Sequence, residues 1–164
     1  MELPPLSLYV HLHWCVRKCP YCDFNSHAVK GELPAEEYER SLLKDLQQDL
    51  PLVWGRAVPS VFFGGGTPSL VSAEQIRVLM SGFRSLLRLS PEAEVTLEAN
   101  PGTIEHDRFS AYRDAGINRV SLGVQSFRND SLARIGRIHP REEAERANKY
   151  IQRSGIENFN IDLM

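Results

Sequence analysis

Cys15, Cys19 and Cys22 are the only cysteines of the chain and fall within the run Cys15-Val16-Arg17-Lys18-Cys19-Pro20-Tyr21-Cys22. Thiolates spaced three and then two residues apart in one loop can converge on a single iron–sulfur cluster, holding three of its four irons and leaving the last open to a substrate. A zinc site is the competing chemistry, with His11, His13 or His27 completing a tetrahedron around the three sulfurs. Zinc sites favour two-residue spacers, often repeated, and no second cysteine pair exists here. Disulfides would strand an odd thiol.

Further groups with chemical potential follow in order. Gly64-Gly65-Gly66-Thr67-Pro68 comes after the apolar Val61-Phe62-Phe63, and glycines there let the backbone turn sharply and press its amides against a ligand. It lacks the Lys-Ser/Thr pair of a P-loop and the spacing of a dinucleotide fingerprint. Glu98 is a carboxylate placed to accept hydrogen bonds from a bound ammonium. Asp162 and Gln125 hold equivalent places further along, and Arg137 could clamp a ligand carboxylate.

These residues need a scaffold, and the pattern supplies one: short apolar runs alternate with longer amphipathic stretches, the signature of βα units feeding a parallel sheet. Strands are predicted at Leu6 to His13, Ser60 to Phe63, Glu94 to Asn100, Arg119 to Gly123 and Asn158 to Leu163. Helices are predicted at Pro34 to Leu50, Ala73 to Leu89, Ile104 to Ala115 and Arg141 to Ser154. Ser72 with Gln75 reads as a capping box, and Gly116 and Gly155 as helix ends.

Within each strand one face is polar: Tyr9, His11 and His13; then Glu94, Thr96, Glu98 and Asn100; then Ser121, Gly123 and Gln125; then Asn160 and Asp162. Parallel strands covered on both sides are apolar throughout, so a repeated polar face predicts a barrel lumen that holds a ligand. A sheet with one solvated face is the other reading. In a β/α barrel the strand C-terminal ends carry the active site. The fold class expected is therefore α/β, a partial (β/α)6 TIM-like barrel of about five parallel strands, with residues 1–164 forming the N-terminal part of one core domain. The chain stops at the end of a strand with no turn or covering helix after it, which predicts a longer natural chain beyond Met164.

Composition narrows the partners. The 164 residues carry 42% hydrophobic side chains and a net charge of −2, enough for one core and no electrostatic footprint for nucleic acid or an anionic membrane. The start lacks a basic segment and apolar stretch of the secretory kind, and no apolar run nears the ~20 residues of a membrane span. Clustered free thiols suit a reducing compartment, so a cytoplasmic location is predicted.

Taken together, the motifs resemble the radical S-adenosylmethionine (SAM) superfamily, marked by a CxxxCxxC loop after the first barrel strand. Tyr9-Val10-His11, Phe63-Gly64-Gly65-Gly66-Thr67-Pro68, Leu97-Glu98-Ala99-Asn100-Pro101-Gly102, Ser121-Leu122-Gly123-Val124-Gln125-Ser126-Phe127 and Asn160-Ile161-Asp162-Leu163-Met164 are similar to the oxygen-independent coproporphyrinogen III oxidase family. The resemblance implies a [4Fe-4S] cluster on Cys15, Cys19 and Cys22. It implies S-adenosylmethionine held by Tyr9, Tyr21, Gly65, Gly66, Thr67, Glu98, Gln125, Arg137 and Asp162. It also implies a reducing partner such as flavodoxin or ferredoxin, and cleavage of the sulfonium to a hydrogen-abstracting radical.

Two positions depart from that family. Its decarboxylating members carry a further cysteine two residues after the third, where this chain has Phe24, and the run Cys-Pro-Tyr-Cys-Asp-Phe-Asn-Ser-His looks instead like the haem-chaperone (HemW-like) branch. His13 stands where the family usually has proline, which keeps the zinc alternative open. The leading expectation is a radical SAM haem chaperone that delivers haem to haem-dependent enzymes, with its haem-holding residues beyond Met164. The alternatives are a coproporphyrinogen III oxidase that decarboxylates porphyrinogen propionates, and a zinc-binding structural module.

Overall fold

A computed structural model describes residues 3–53, 55–103 and 107–164. The chain runs β1 (Ser7–Leu12), β2 (Trp14–Cys15), β3 (His27–Ala28), α1 (Ala35–Val53), β4 (Ala57–Gly65), α2 (Ala73–Leu86), β5 (Arg88–Ala99), α3 (Arg108–Asp114), β6 (Arg119–Gln125), α4 (Asn129–Arg134), α5 (Arg141–Ser154) and β7 (Asn158–Leu163). Single 3₁₀ turns at Pro68–Leu70 and Pro101–Thr103 follow β4 and β5.

Five strands form one parallel sheet in the order β1-β4-β5-β6-β7. Each strand pairs with its predecessor in that series, and a helix fills every crossover, as parallel pairing requires. The result is a partial barrel, open between β1 and β7. Alternation sorts the side chains. Val10 and Leu12, Val61 and Phe63, Val95 and Leu97, and Val120, Leu122 and Val124 are buried beneath the helices. From α2, α3 and α5 they meet Ile76, Leu79, Phe83, Phe109, Tyr112 and Ile151. Each fully buried side chain of this size contributes roughly 1.5–3 kcal/mol.

The opposite face is polar and internally bonded. Ser60 Oγ donates to Ser7 Oγ (2.8 Å). Arg119 donates to Thr96 Oγ1 (3.2 Å) and Asn160 Oδ1 (2.7 Å), and pairs with Glu94 at 3.6 Å.

Several element ends differ from expectation. The helix predicted to reach Leu89 stops at Leu86, because Leu87 turns extended (φ −116°, ψ 153°) and residues 88 and 89 pair with Ala57 and Val58. Both strands thereby start earlier than their apolar runs, with a bulge between Val58 and Ser60. Helix α1 runs on to Val53 with Pro51 inside it. The predicted helix from Ile104 begins outside the described residues, and its described part is α3. The Ser72–Gln75 capping box is present, and Gly155 ends α5 at φ +83°. Helix α4 and the β2–β3 pair were not foreseen, since two-residue strands and a six-residue helix leave no period to read.

Candidate active site: a thiol loop at the barrel mouth

The cysteine loop is clamped where it leaves β1. The His27 amide donates to the His13 carbonyl (2.7 Å) and the Val29 amide to the Cys15 carbonyl (2.8 Å), so the β2–β3 pair joins the two ends of the 15–28 segment. The glycine turn after β4 is stitched to the same segment: Gly66 N–H donates to Leu12 O and Thr67 N–H to Trp14 O, both at 2.7 Å. A Cβ on Gly66 would stand 2.5 Å from the Trp14 oxygen, and one on Gly65, at φ +115°, 2.8 Å from the His11 ring. Across the mouth, Arg17 donates to the Gly136 carbonyl (2.6 Å). A Cβ on Gly136, at φ +72°, would meet Pro20 at 2.7 Å.

Between these clamps lies a cavity of about 400 Å³, within the size range of small-molecule sites. Cys15, Cys19 and Cys22 all line it, and all three are free thiols, Cys15 buried and the others half-buried. Tyr21, Gly66, Thr67, Glu98, Gln125, Arg137 and Asp162 line it too. Of the residues singled out in sequence, Tyr9 and Gly65 do not reach its wall. Tyr9 stacks on Phe62 (ring centroids 6.1 Å) and its hydroxyl donates to His11 Nδ1 (3.3 Å). Gly65 acts one step back, donating its amide to Glu98 Oε2 (3.2 Å).

Electrostatics follow from burial. Glu98 is pushed above the ordinary carboxylate range by desolvation, with the nearby Asp162 charge adding to the rise and the Gly65 amide and His11 opposing it. Asp162 is fixed at both oxygens: Ser121 Oγ donates to Oδ2 (2.8 Å) and Asn160 Nδ2 to Oδ1 (2.6 Å). Gln125, the last residue of β6, holds φ +69°, a left-handed conformation that costs a non-glycine residue on the order of 1 kcal/mol. The Met164 amide donates to its carbonyl (2.9 Å). Such strain at a strand end over a cavity is typical of functional positions.

Arg137 bridges two walls. Its Nη2 donates to the Gly123 carbonyl, while Nη1 faces the Tyr21 hydroxyl (3.4 Å) and the Cys19 sulfur (3.9 Å). Burial raises the Tyr21 hydroxyl, and the Arg137 charge works against that rise.

The histidines go elsewhere. His13 Nδ1 donates to the Tyr38 hydroxyl (3.2 Å), which donates to the His11 carbonyl (2.7 Å), and His11 Nε2 donates to the Asn25 carbonyl (2.8 Å). Neither they nor His27 line the cavity. Among the described residues, no three His, Cys, Asp or Glu side chains converge tightly enough to hold one metal ion. Sequence reasoning missed Arg17 and the Arg137 partner His139. It placed Ser121 and Asn100 on the polar face without giving them a role, although both line the cavity.

The sequence pattern of the Radical SAM superfamily matches residues 9–164. The chain is 55% identical over 164 residues to the heme chaperone HemW of Escherichia coli (strain K12), covering 100% of this chain and 43% of that protein. It is 52% identical to the heme chaperone HemW of Haemophilus influenzae (strain ATCC 51907 / DSM 11121 / KW20 / Rd), covering 99% and 44%. The chain therefore spans less than half the length of these curated relatives. Among solved structures, coproporphyrinogen III oxidase (HemN) from Escherichia coli, described as a radical SAM enzyme, superposes with a TM-score of 0.87 at 33% identity, covering 97% of this chain and 37% of that one. No described helix is long and apolar enough to cross a membrane.

Proposed function

This chain belongs to the radical SAM superfamily, and on that premise we propose that its cavity holds a [4Fe-4S] cluster with S-adenosylmethionine and that it serves a haem chaperone. The observation that carries the reading is the meeting of three free thiols with Glu98, Gln125, Arg137 and Asp162 around one cavity.

The donor set suits the group. A cluster takes each thiolate at a different iron, so its ligands stand wider apart than those of a single ion, and three thiolates leave one iron open. When bound, the cluster supplies that open iron and a low-potential electron for breaking a carbon–sulfur bond. Cys15, Cys19 and Cys22 hold it. Glu98 accepts from the ligand ammonium, steadied by the Gly65 amide, and Asp162 sets a second anion nearby. Arg137 presents Nη1 to the ligand carboxylate, and Tyr21, Gly66, Thr67 and Gln125 close the walls against water. Tyr9 acts through His11 and the strand face. A reducing partner such as flavodoxin or ferredoxin and a cytoplasmic location belong to the same reading.

Haem delivery is favoured by the identity to the HemW proteins and by Phe24, which lines the cavity with no thiol two residues past Cys22. Porphyrinogen decarboxylation is the second reading, supported by the likeness to HemN. A zinc module has little support, since none of His11, His13 and His27 lines the cavity. The deciding experiment uses the full natural chain, reconstituted anaerobically and loaded with haem. Transfer of haem to an apo-haem protein, with no CO₂ released from coproporphyrinogen III, is expected. Substrate-dependent release of CO₂ and 5′-deoxyadenosine would overturn the chaperone reading in favour of the oxidase.

A further inference from the structure

Behind the cavity wall stands a buried histidine for which the reading so far has no use. His139 is 2% exposed and does not line the cavity. It sits between the 3₁₀ turn Pro101–Thr103 and the start of α5, close enough that a Cβ on Gly102 would touch its own Cβ at 3.4 Å. Its two ring nitrogens have different partners: Nδ1 faces the Pro140 carbonyl (3.2 Å), and Nε2 faces Arg137 Nε (3.3 Å). A carbonyl only accepts and a guanidinium only donates. Both bonds form together in one state alone, the neutral ring with its proton on Nδ1 and its lone pair on Nε2. Burial, the largest influence, lowers the pKa of His139 and favours the same neutral ring, as does the Arg137 charge, while the Pro140 and Gly123 carbonyls and the Glu143 charge act against it.

Arg137 needs such a partner. It follows Gly136 in the short link between α4 and α5, where a long side chain has many rotamers open to it. His139 fixes Nε and the Gly123 carbonyl fixes Nη2, which leaves Nη1 turned to Tyr21 and the Cys19 sulfur. We infer that His139 is a positioning residue whose Nε2 lone pair aims the Arg137 guanidinium, and through it both the grip on a ligand carboxylate and an N–H···S contact to a cluster thiolate. The inference deepens the reading of the cavity as the cluster and S-adenosylmethionine site and rests on it.

The contrast of His139→Leu with His139→Gln tests it in the full-length, anaerobically reconstituted protein. Leucine fills the space without an acceptor, whereas glutamine returns an oxygen near the place of Nε2. Hydrogen bonds to charged groups set the scale, so H139L is expected to weaken S-adenosylmethionine binding roughly tenfold or more by calorimetry. It is also expected to lower the cluster midpoint potential, because hydrogen bonds to the ligand sulfurs raise it. H139Q should stay within about threefold of wild type in affinity and near its potential. Wild-type values for H139L, or equal losses in both variants, overturn the inference. A measurement free of variants and cofactors stands beside these: long-range ¹H–¹⁵N spectra of the wild-type apoprotein should show His139 as the Nδ1–H tautomer, and the Nε2–H tautomer or an imidazolium near neutral pH overturns it. Wild-type protein that carries the cluster yet fails to bind S-adenosylmethionine overturns the functional reading instead, and the tautomer and the potential then decide the role of His139.

Discussion

Replacing Gly66 by alanine puts the coupling of the glycine turn to the cysteine loop under direct test. The added Cβ would lie 2.5 Å from Trp14 O and 2.8 Å from both Trp14 C and His13 C. All three are backbone atoms, so no rotamer change relieves the clash. Unstrained contacts between carbon atoms need about 3.5 Å, which requires the two segments to part by about 1 Å. The Gly66–Leu12 and Thr67–Trp14 hydrogen bonds, both 2.7 Å, would then lengthen past the ~3.2 Å limit of a good N–H···O bond. Losing two such bonds costs about 2 kcal/mol, and residual overpacking adds about 1–3 kcal/mol. G66A is therefore expected to lose about 3–5 kcal/mol in urea unfolding, a large share of the 5–15 kcal/mol typical of a domain. Iron retained after anaerobic reconstitution should fall with it, because Cys15 sits on the displaced segment. A loss under about 0.5 kcal/mol with full iron retention would refute the reasoning.

Other perturbations probe the wall and its support. Burial raises the Glu98 pKa, so S-adenosylmethionine affinity should weaken as pH falls through that raised value and Glu98 takes up a proton. The ligand-free protein should gain stability over the same fall, because the folded state binds the extra proton. Asp162 and His11 act on the same carboxyl, so the difference between wild type and Glu98→Gln isolates Glu98; a calorimetric pH profile unchanged in E98Q would exclude the role. The buried Tyr112 hydroxyl faces the carbonyls of Ser69 (3.0 Å) and Val71 (2.6 Å), anchoring the turn that follows the glycine loop. Tyr112→Phe is expected to cost about 1–3 kcal/mol by leaving buried carbonyls unpaired. Since burial pushes the Tyr112 pKa to about 12, wild-type stability should decline as pH rises from about 10, where the unfolded tyrosine ionises, toward 12. Y112F should lack that part of the decline in denaturant titrations.

Much of this architecture was legible in the sequence because burial obeys a period. The set Val95, Leu97 and Ala99 against Thr96 and Glu98 gave the inward and outward faces of β5, and β7 and α5 were bounded by residues that match the structure. The cysteine loop and the glycine turn were readable from residue type and spacing, and they meet at one cavity. What stayed hidden depends on contacts between distant segments. The extended start of β5 at Arg88 is set by pairing with Ala57, against the helical pattern that led up to it. His139 carries no motif of its own, and only the packing of the link before α5 turns its ring toward Arg137. Tyr9 and Gly65 stand one row behind the cavity wall, since alternation says which face a residue takes and not how far up the strand a ligand reaches.

The central claim is that three sulfurs grip a cluster with one iron left open. Its most direct test counts iron and acid-labile sulfide per chain after anaerobic reconstitution and records the electron resonance signal with and without S-adenosylmethionine, in wild type and in single alanine variants of Cys15, Cys19 and Cys22. About four irons per wild-type chain, a signal altered by the cofactor, and loss of both in each variant are expected. One tightly held zinc in place of iron, or an unaltered cluster in the variants, would contradict the account.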